Sequence, residues 1–199
     1  MSEIRLVVFD LGRVLIRICD NWRHACEVAR VPMPAMEPSP EALRRIDEIA
    51  ARYDTGAIDL PAFAREVAVI GGQRPQDIIA LQQAYLLGPF PHAAELIDDL
   101  CRAGVKTACL SNTTENHWRM LHDPGGPNYL PLERVSYLFA SYLLGLRKPD
   151  DRIYAHVEQV TGTPAREIVF FDDIEENIEA ATRRGWRAHR IEIDSDPIA

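Results

Sequence analysis

The sequence predicts an α/β protein: a doubly wound parallel sheet interrupted once by a block of helices. Three observations predict it. Short apolar runs rich in Val, Ile, Leu and Phe alternate with amphipathic stretches of helical length from about residue 89 onward, the pattern of a sheet covered on both faces. Each of several runs leads into a polar residue suited to a site: Asp10, Ser111-Asn112, Lys148-Pro149 and Asp172-Asp173. Between the first run and the alternation, residues 17–88 read as helices with no strand candidate of comparable strength.

The first strand is expected at Ile4–Phe9, with Asp10-Leu11-Gly12 as the turn that ends it. Helices follow at Trp22–Val31, up to the break Val31-Pro32-Met33-Pro34, and at Glu41–Tyr53. Tyr53-Asp54-Thr55-Gly56 makes a tight connection into a helix at Leu60–Ile70, with Asp59 as N-cap and Pro61 in the first turn. Gly71-Gly72 ends it, and a fourth helix, Pro75–Leu87, stops at Gly88-Pro89. A helix at His92–Ala103 then closes on Gly104, before a strand at Val105–Leu110 and a helix at Thr113–Leu121. Asn112 and Glu115 have the spacing of a capping box. After a turn-rich loop at Asp123–Leu132 come a short strand at Tyr137–Ser141, a turn at Gly145, and a helix at Asp150–Val160 with Ile153, Val157 and Val160 on one face. Ile168–Phe171, Glu175–Arg184 and Trp186–Ile191 complete the chain as strand, helix and strand.

Composition narrows the class of function. At 199 residues, 47% hydrophobic and 26% charged, the chain is long enough for one domain with an insertion. A net charge of −8, with Lys and Arg scattered, disfavours nucleic acid and anionic lipid as partners. No apolar run approaches the length of a membrane span and no signal-peptide pattern opens the chain, so the expected compartment is the cytoplasm. Cys19, Cys26, Cys101 and Cys109 lack a CxxC pairing and read as core thiols, in keeping with a reducing environment.

The polar residues at the strand ends describe a chemistry. An aspartate after a strand can be a cap or turn residue, Ser111 and Asn112 can be caps, and a lone lysine is usually on the surface. Convergence changes that reading, because open α/β sheets bind ligands at the C-terminal ends of their strands. If Asp10, Asp172 and Asp173 meet there, each pair repels by about 4 kcal/mol at ~4 Å and an effective dielectric of ~20. Either one or more of these carboxylates are protonated at neutral pH, or Lys148 and a divalent cation neutralise them, and oxygen-only ligands select a hard ion such as Mg²⁺. Ser111 and Asn112, ahead of a helix, offer a seat for an anion. A carboxylate nucleophile, a metal, a lysine and an anion seat together point to phosphoryl transfer.

These residues resemble the four motifs of the haloacid dehalogenase-like hydrolases. The match is carried by Phe9-Asp10-Leu11-Gly12, Leu110-Ser111-Asn112, Arg147-Lys148-Pro149, and Phe170-Phe171-Asp172-Asp173 with Asn177. The resemblance implies a Rossmann-like core from residues 1–16 and 89–199 and an inserted α-helical cap from residues 17–88. It implies that Asp10 is the nucleophile that forms an aspartyl-phosphate, that Asp10, the Gly12 carbonyl and Asp173 hold Mg²⁺, and that Asp172 and Asn177 stand behind them. Ser111, Asn112 and Lys148 would then bind the phosphoryl group of a small phosphate ester, with Lys148 linking it to Asp10.

The wording of the motifs is closest to the branch with bacterial α-D-glucose-1-phosphate phosphatases, more distantly the phosphatase domain of soluble epoxide hydrolases, and suggests a sugar phosphate. One residue departs from the family: most of its phosphatases have an acid/base aspartate two residues after the nucleophile, where this chain has Gly12. Loss of a positioned acid or base lowers rates by ~10²–10⁴-fold. Two rivals are a 2-haloacid dehalogenase, whose relatives usually lack the paired aspartates, and a non-catalytic phosphometabolite-binding protein, which only Gly12 favours. Specificity is expected from cap side chains such as Arg17, Arg52 and Tyr53, and the oligomeric state is left open.

Overall fold

In the computed structural model of the protein, which describes residues 3–34 and 38–192, the first strand β1 (Leu6–Phe9) sits at the centre of a parallel sheet. Leu6 and Val8 face one side, and Val7 and Phe9 the other, as the two-residue period of a strand requires. The chain then runs through β2 (Ile16–Ile18), α1 (Trp22–Ala29), α2 (Pro40–Asp54), α3 (Leu60–Gly71), α4 (Pro75–Ala84) and β3 (Leu86–Pro89). It continues as α5 (Ala93–Arg102), β4 (Lys106–Ser111), α6 (Glu115–Leu121), β5 (Tyr137–Ala140) and the short α7 (Ser141–Leu144). The last elements are α8 (Asp151–Thr161), β6 (Ile168–Asp172), α9 (Glu175–Arg183) and β7 (Arg187–Arg190).

The sheet order is β5-β4-β1-β6-β7, with every pairing parallel. Successive strands move outward from β1 in one direction and then the other, so the end of β1 lies at the switch point where such sheets open a crevice. Tyr154, Phe170 and Trp186 pack edge to face between the sheet and helices α8 and α9. Phe9, Ile97, Cys109 and Leu121 belong to the second cluster, on the opposite side. The helices α1–α4 have a cluster of their own, which includes Cys26, Ile49, Phe63, Val67 and Ile78. No helix among the described residues is long and apolar enough to cross a membrane.

Several sequence expectations hold to within a residue or two. Asp59 accepts from the Ala62 N–H at 2.8 Å as the cap of α3, and Pro61 lies in its first turn. Others need correction. The fourth helix ends at Ala84, and Leu86–Pro89 instead forms an antiparallel ribbon with Ile16–Ile18. That ribbon pairs residues far apart in sequence, and each half is too short to show a period. Thr114, not Asn112, caps α6 by accepting from the His117 N–H at 3.4 Å. Val160 is 48% exposed and is not on the buried face of α8 with Ile153 and Val157. Residues 1–2, 35–37 and 193–199, parts of the expected core and helical block, lie outside the described residues.

Candidate active site

Asp10 follows β1 directly, and its N–H donates to the Phe171 carbonyl at 2.9 Å, so the ladder to β6 reaches one residue past the strand. Asp172 ends β6 and Asp173 follows it. One oxygen from each of the three carboxylates lies within 4.8 Å of the others, and all three residues are buried. Between two of them sits the Lys148 ammonium, 2.6 Å from Asp172 Oδ2 and 3.0 Å from Asp10 Oδ1, on a side chain that is 1% exposed. The ring of Phe170 lies 5.3 Å from it, close enough for a cation–π contribution.

The loop that delivers Lys148 comes after α7, not directly from a strand end as expected. Asn112 holds it there: its Oδ1 accepts from the Lys148 N–H at 2.8 Å, and its Nδ2 donates to the Lys148 carbonyl at 2.9 Å. The Asn112 amide is therefore engaged with backbone and faces a lysine loop instead of capping α6. Ser111 is buried at the end of β4 and lines the same cavity as Asp10 and Lys148, while Thr113 and Thr114 intervene before the helix begins.

Asp172 and Asp173 are not equivalent. Asp172 Oδ1 accepts from the Ile174 N–H at 2.8 Å and from Asn177 Nδ2 at 3.0 Å. Its Oδ2 accepts from Lys148 at 2.6 Å and from Asn177 at 3.1 Å. Three donors making four contacts occupy both oxygens of this carboxylate. Asp173 makes one side-chain ion pair, to Arg13 Nη1 at 3.3 Å, and Asp10 Oδ1 makes no hydrogen bond of good geometry. Asp10 and Asp173 thus present the oxygen donors that suit a hard divalent ion, with Gly12 lining the same cavity.

Burial pushes the Asp10 carboxyl up to about 7; the Lys148 ammonium opposes this and the Asp172 charge adds to it. Asp173 is also raised, by burial and by Asp172, against the pull of Arg13. Burial alone would lower Lys148, but Asp10 and Asp172 outweigh it and hold the ammonium above the usual lysine range. Three carboxylates face two cations, Lys148 and Arg13, and the remaining negative charge favours a further cation.

The family described as haloacid dehalogenase-like hydrolase matches residues 4–185. The chain belongs to this family. Among relatives of the hydrolase, the phosphatase MT3486 of Mycobacterium tuberculosis is 26% identical over 96% of this chain and 88% of its own length. The sesquiterpene phosphatase astK of Aspergillus oryzae is 37% identical over 92% of this chain and 88% of its own. The fold is shared with the HAD family enzyme BT-2542 of Bacteroides thetaiotaomicron, at a TM-score of 0.83 and 22% identity, covering 98% and 97% of the two chains. That enzyme has also been solved as a complex with magnesium and inorganic phosphate.

Sequence reasoning passed over several residues that line this hydrolase's cavity. Arg13 adopts a left-handed φ of 56°, which costs a residue with a Cβ of order 1 kcal/mol; its guanidinium bonds to the Asp20 carbonyl at 3.1 Å and to Asp173 offset that strain. Asp54, at the end of α2, pairs with Arg147 at 3.5 Å, and burial pushes its carboxyl up to about 6 while Arg147 opposes. The turn after it rests on α7: a Cβ at Gly56, whose φ is 71°, would lie 2.4 Å from the Tyr142 carbonyl oxygen, so only glycine fits. His117 on α6 places Nε2 2.8 Å from the Gln82 carbonyl on α4, joining the two layers, and burial lowers its pKa. The one available signal was the Tyr53-Asp54-Thr55-Gly56 turn. Of the expected specificity residues, Tyr53 lines the cavity. Arg17 instead donates to the Leu87 carbonyl at 3.0 Å, and Arg52 pairs with Glu66 at 2.7 Å on the surface.

Proposed function

We propose that this hydrolase is a Mg²⁺-dependent phosphatase that cleaves a small phosphomonoester through an aspartyl-phosphate on Asp10. The observation that carries this reading is the buried cluster of Asp10, Asp172 and Asp173 around Lys148, with the donors of Asp172 used up and those of Asp10 and Asp173 open. The two phosphatases among its relatives support it. Asp10 attacks phosphorus and breaks its bond to the ester oxygen, which leaves as an alkoxide and takes a proton from water; a second water then hydrolyses the acyl phosphate, releasing inorganic phosphate and freeing Asp10. Lys148 keeps the carboxylate pointed and offsets its charge, and Asn112 acts through its grip on the Lys148 backbone. Ser111 binds a phosphoryl oxygen. Asp10, Asp173 and the Gly12 carbonyl would hold Mg²⁺, which would supply the charge neutralisation that an anionic nucleophile needs to approach an anionic ester.

We place residues 17–88 over this site as a cap that selects the substrate, a reading supported by the separate cluster of α1–α4 and by the side chains those helices contribute to the cavity. The cytoplasmic assignment is supported by the free, buried Cys19, Cys26 and Cys109. The first experiment is phosphate release from p-nitrophenyl phosphate with Mg²⁺ and with EDTA, alongside chloride release from 2-chloropropionate. Phosphate release that needs Mg²⁺ is expected; halide release without metal would favour the dehalogenase, and no turnover of either would favour a binding protein.

Two further outcomes follow from the geometry. Asp173→Ala is expected to abolish Mg²⁺ binding in titration calorimetry, whereas Asp172→Asn retains it, because the oxygens of Asp172 are both occupied and those of Asp173 are not. Equal affinity in wild type and Asp173→Ala would overturn the assignment. Gly12 has no side chain to protonate the departing oxygen, so kcat/KM should rise steeply as the pKa of an aryl leaving group falls. Gly12→Asp should flatten that dependence, and the position can take a side chain: its added Cβ would meet Ile18 Cδ1 at 3.4 Å, an ordinary contact. A flat dependence in the wild type, with chemistry rate-limiting, would mean that another acid already serves.

A further inference from the structure

We infer that the organic group of the substrate is a bulky apolar one, a hydrocarbon chain or ring system, and not the sugar that the motif wording suggests. This rests on the phosphatase reading and concerns the same cavity, of about 470 Å³, a size that holds a small ligand. The floor is polar and comes from the loops at the strand ends. The wall comes from the helical block and is mostly apolar: Trp22 on α1, Ile46 and Ala50 on α2, Phe63 on α3, Leu81 on α4, and Tyr85 just after it. Ile46, Ala50 and Tyr53 are spaced four and three residues apart, so α2 turns one face toward the cavity. Tyr53 stacks on Phe63 with ring centroids 4.6 Å apart, and Tyr85 stacks on His117 at 5.7 Å, which makes the wall rigid as well as apolar.

The polar side chains on that wall are few, Asn21, Asp47, Asp54 and Gln82. Asn21 and Asp47 are exposed, and Asn21 Oδ1 already accepts from the His24 N–H as the cap of α1. Asp54 is paired with Arg147. Gln82 is half-buried. A buried hexose presents several hydroxyls, each needing a partner, whereas a hydrocarbon group needs none and gains by leaving water. Tyr53 lines the cavity at 4% exposure, with its hydroxyl beside the Thr114 side chain.

The test compares kcat/KM with Mg²⁺ for glucose 1-phosphate, glucose 6-phosphate, and butyl, hexyl and decyl phosphate below their micellar concentrations, with p-nitrophenyl phosphate as reference. The expected result is a rise with chain length, to at least about 10²-fold above either sugar phosphate. Hydrolysis of the aryl phosphate with no rise along the alkyl series, or with a sugar phosphate preferred, overturns the inference and leaves the phosphatase reading intact. Calorimetry with methyl- and decylphosphonate separates the opposite case: tight binding of the decyl compound without hydrolysis of any ester would sustain the apolar subsite and sink the phosphatase. Ile46→Asn and Ala50→Asn, both at half-buried positions, should narrow the decyl-to-aryl ratio by about 10-fold with thermal unfolding little changed. A ratio unchanged in both folded variants would show that this wall does not contact the substrate.

Discussion

Asp10→Asn is expected to lower kcat/KM for p-nitrophenyl phosphate by about 10⁴–10⁶-fold, the range seen when a covalent nucleophile is removed and binding is kept. The amide matches the carboxylate in shape but is a far poorer nucleophile. The fold should survive. The backbone bond from residue 10 to Phe171 is untouched, and Lys148 keeps its 2.6 Å partner, Asp172. Removing one of three buried carboxylates also relieves the repulsion that, with burial, lifts Asp10 to about 7. The variant should therefore melt at or above the wild-type temperature. Steady-state kinetics and calorimetric melting check both halves, and turnover within 10-fold of wild type would remove Asp10 from the mechanism.

Lys148→Met is expected to be the most destabilising single change at the site, by about 3–5 kcal/mol, because breaking a buried ion pair from one side strands the other charge. Here two carboxylates would be stranded, Asp10 and the fully buried Asp172. Methionine fills much of the lysine stem, so the loss reports charge more than packing. The effect has a definite pH dependence. A carboxyl whose folded pKa exceeds its unfolded value binds more protons in the folded chain, and its contribution to stability is lost as pH rises toward the folded value. Asp10 is already raised to about 7 with Lys148 in place, and without the opposing ammonium it rises further. The variant should thus lose ground against wild type between about pH 7 and pH 9, where Asp10 ionises in the folded wild type but stays protonated in the variant. Urea unfolding of both proteins at the two ends of that window measures it, and a difference under ~1 kcal/mol at the upper end would show that the cluster does not depend on Lys148 for its charge balance.

Much of this protein is determined by short-range pattern. Apolar strand runs, helices bounded by Asp59 and Gly72 or by Asp150 and Gly162, and acidic residues at the ends of β1 and β6 are all local features. Local sequence carries them because period, caps and turns depend on residues within a few positions of one another. The doubly wound sheet and the four motifs were legible for that reason. Only the tertiary structure decided how those motifs use their atoms. Asp172 and Asp173 are neighbours with the same side chain, yet one is saturated by Lys148, Asn177 and the Ile174 N–H while the other stays open. Asn112, read as a cap, bridges 36 residues to hold Lys148, and Arg13 reaches 160 residues to Asp173. The β2–β3 ribbon and the apolar wall over Asp10 likewise join segments separated by most of the helical block. These contacts have no period and no neighbouring residue to announce them, since they form only once the sheet and the helices have closed the distance between their ends.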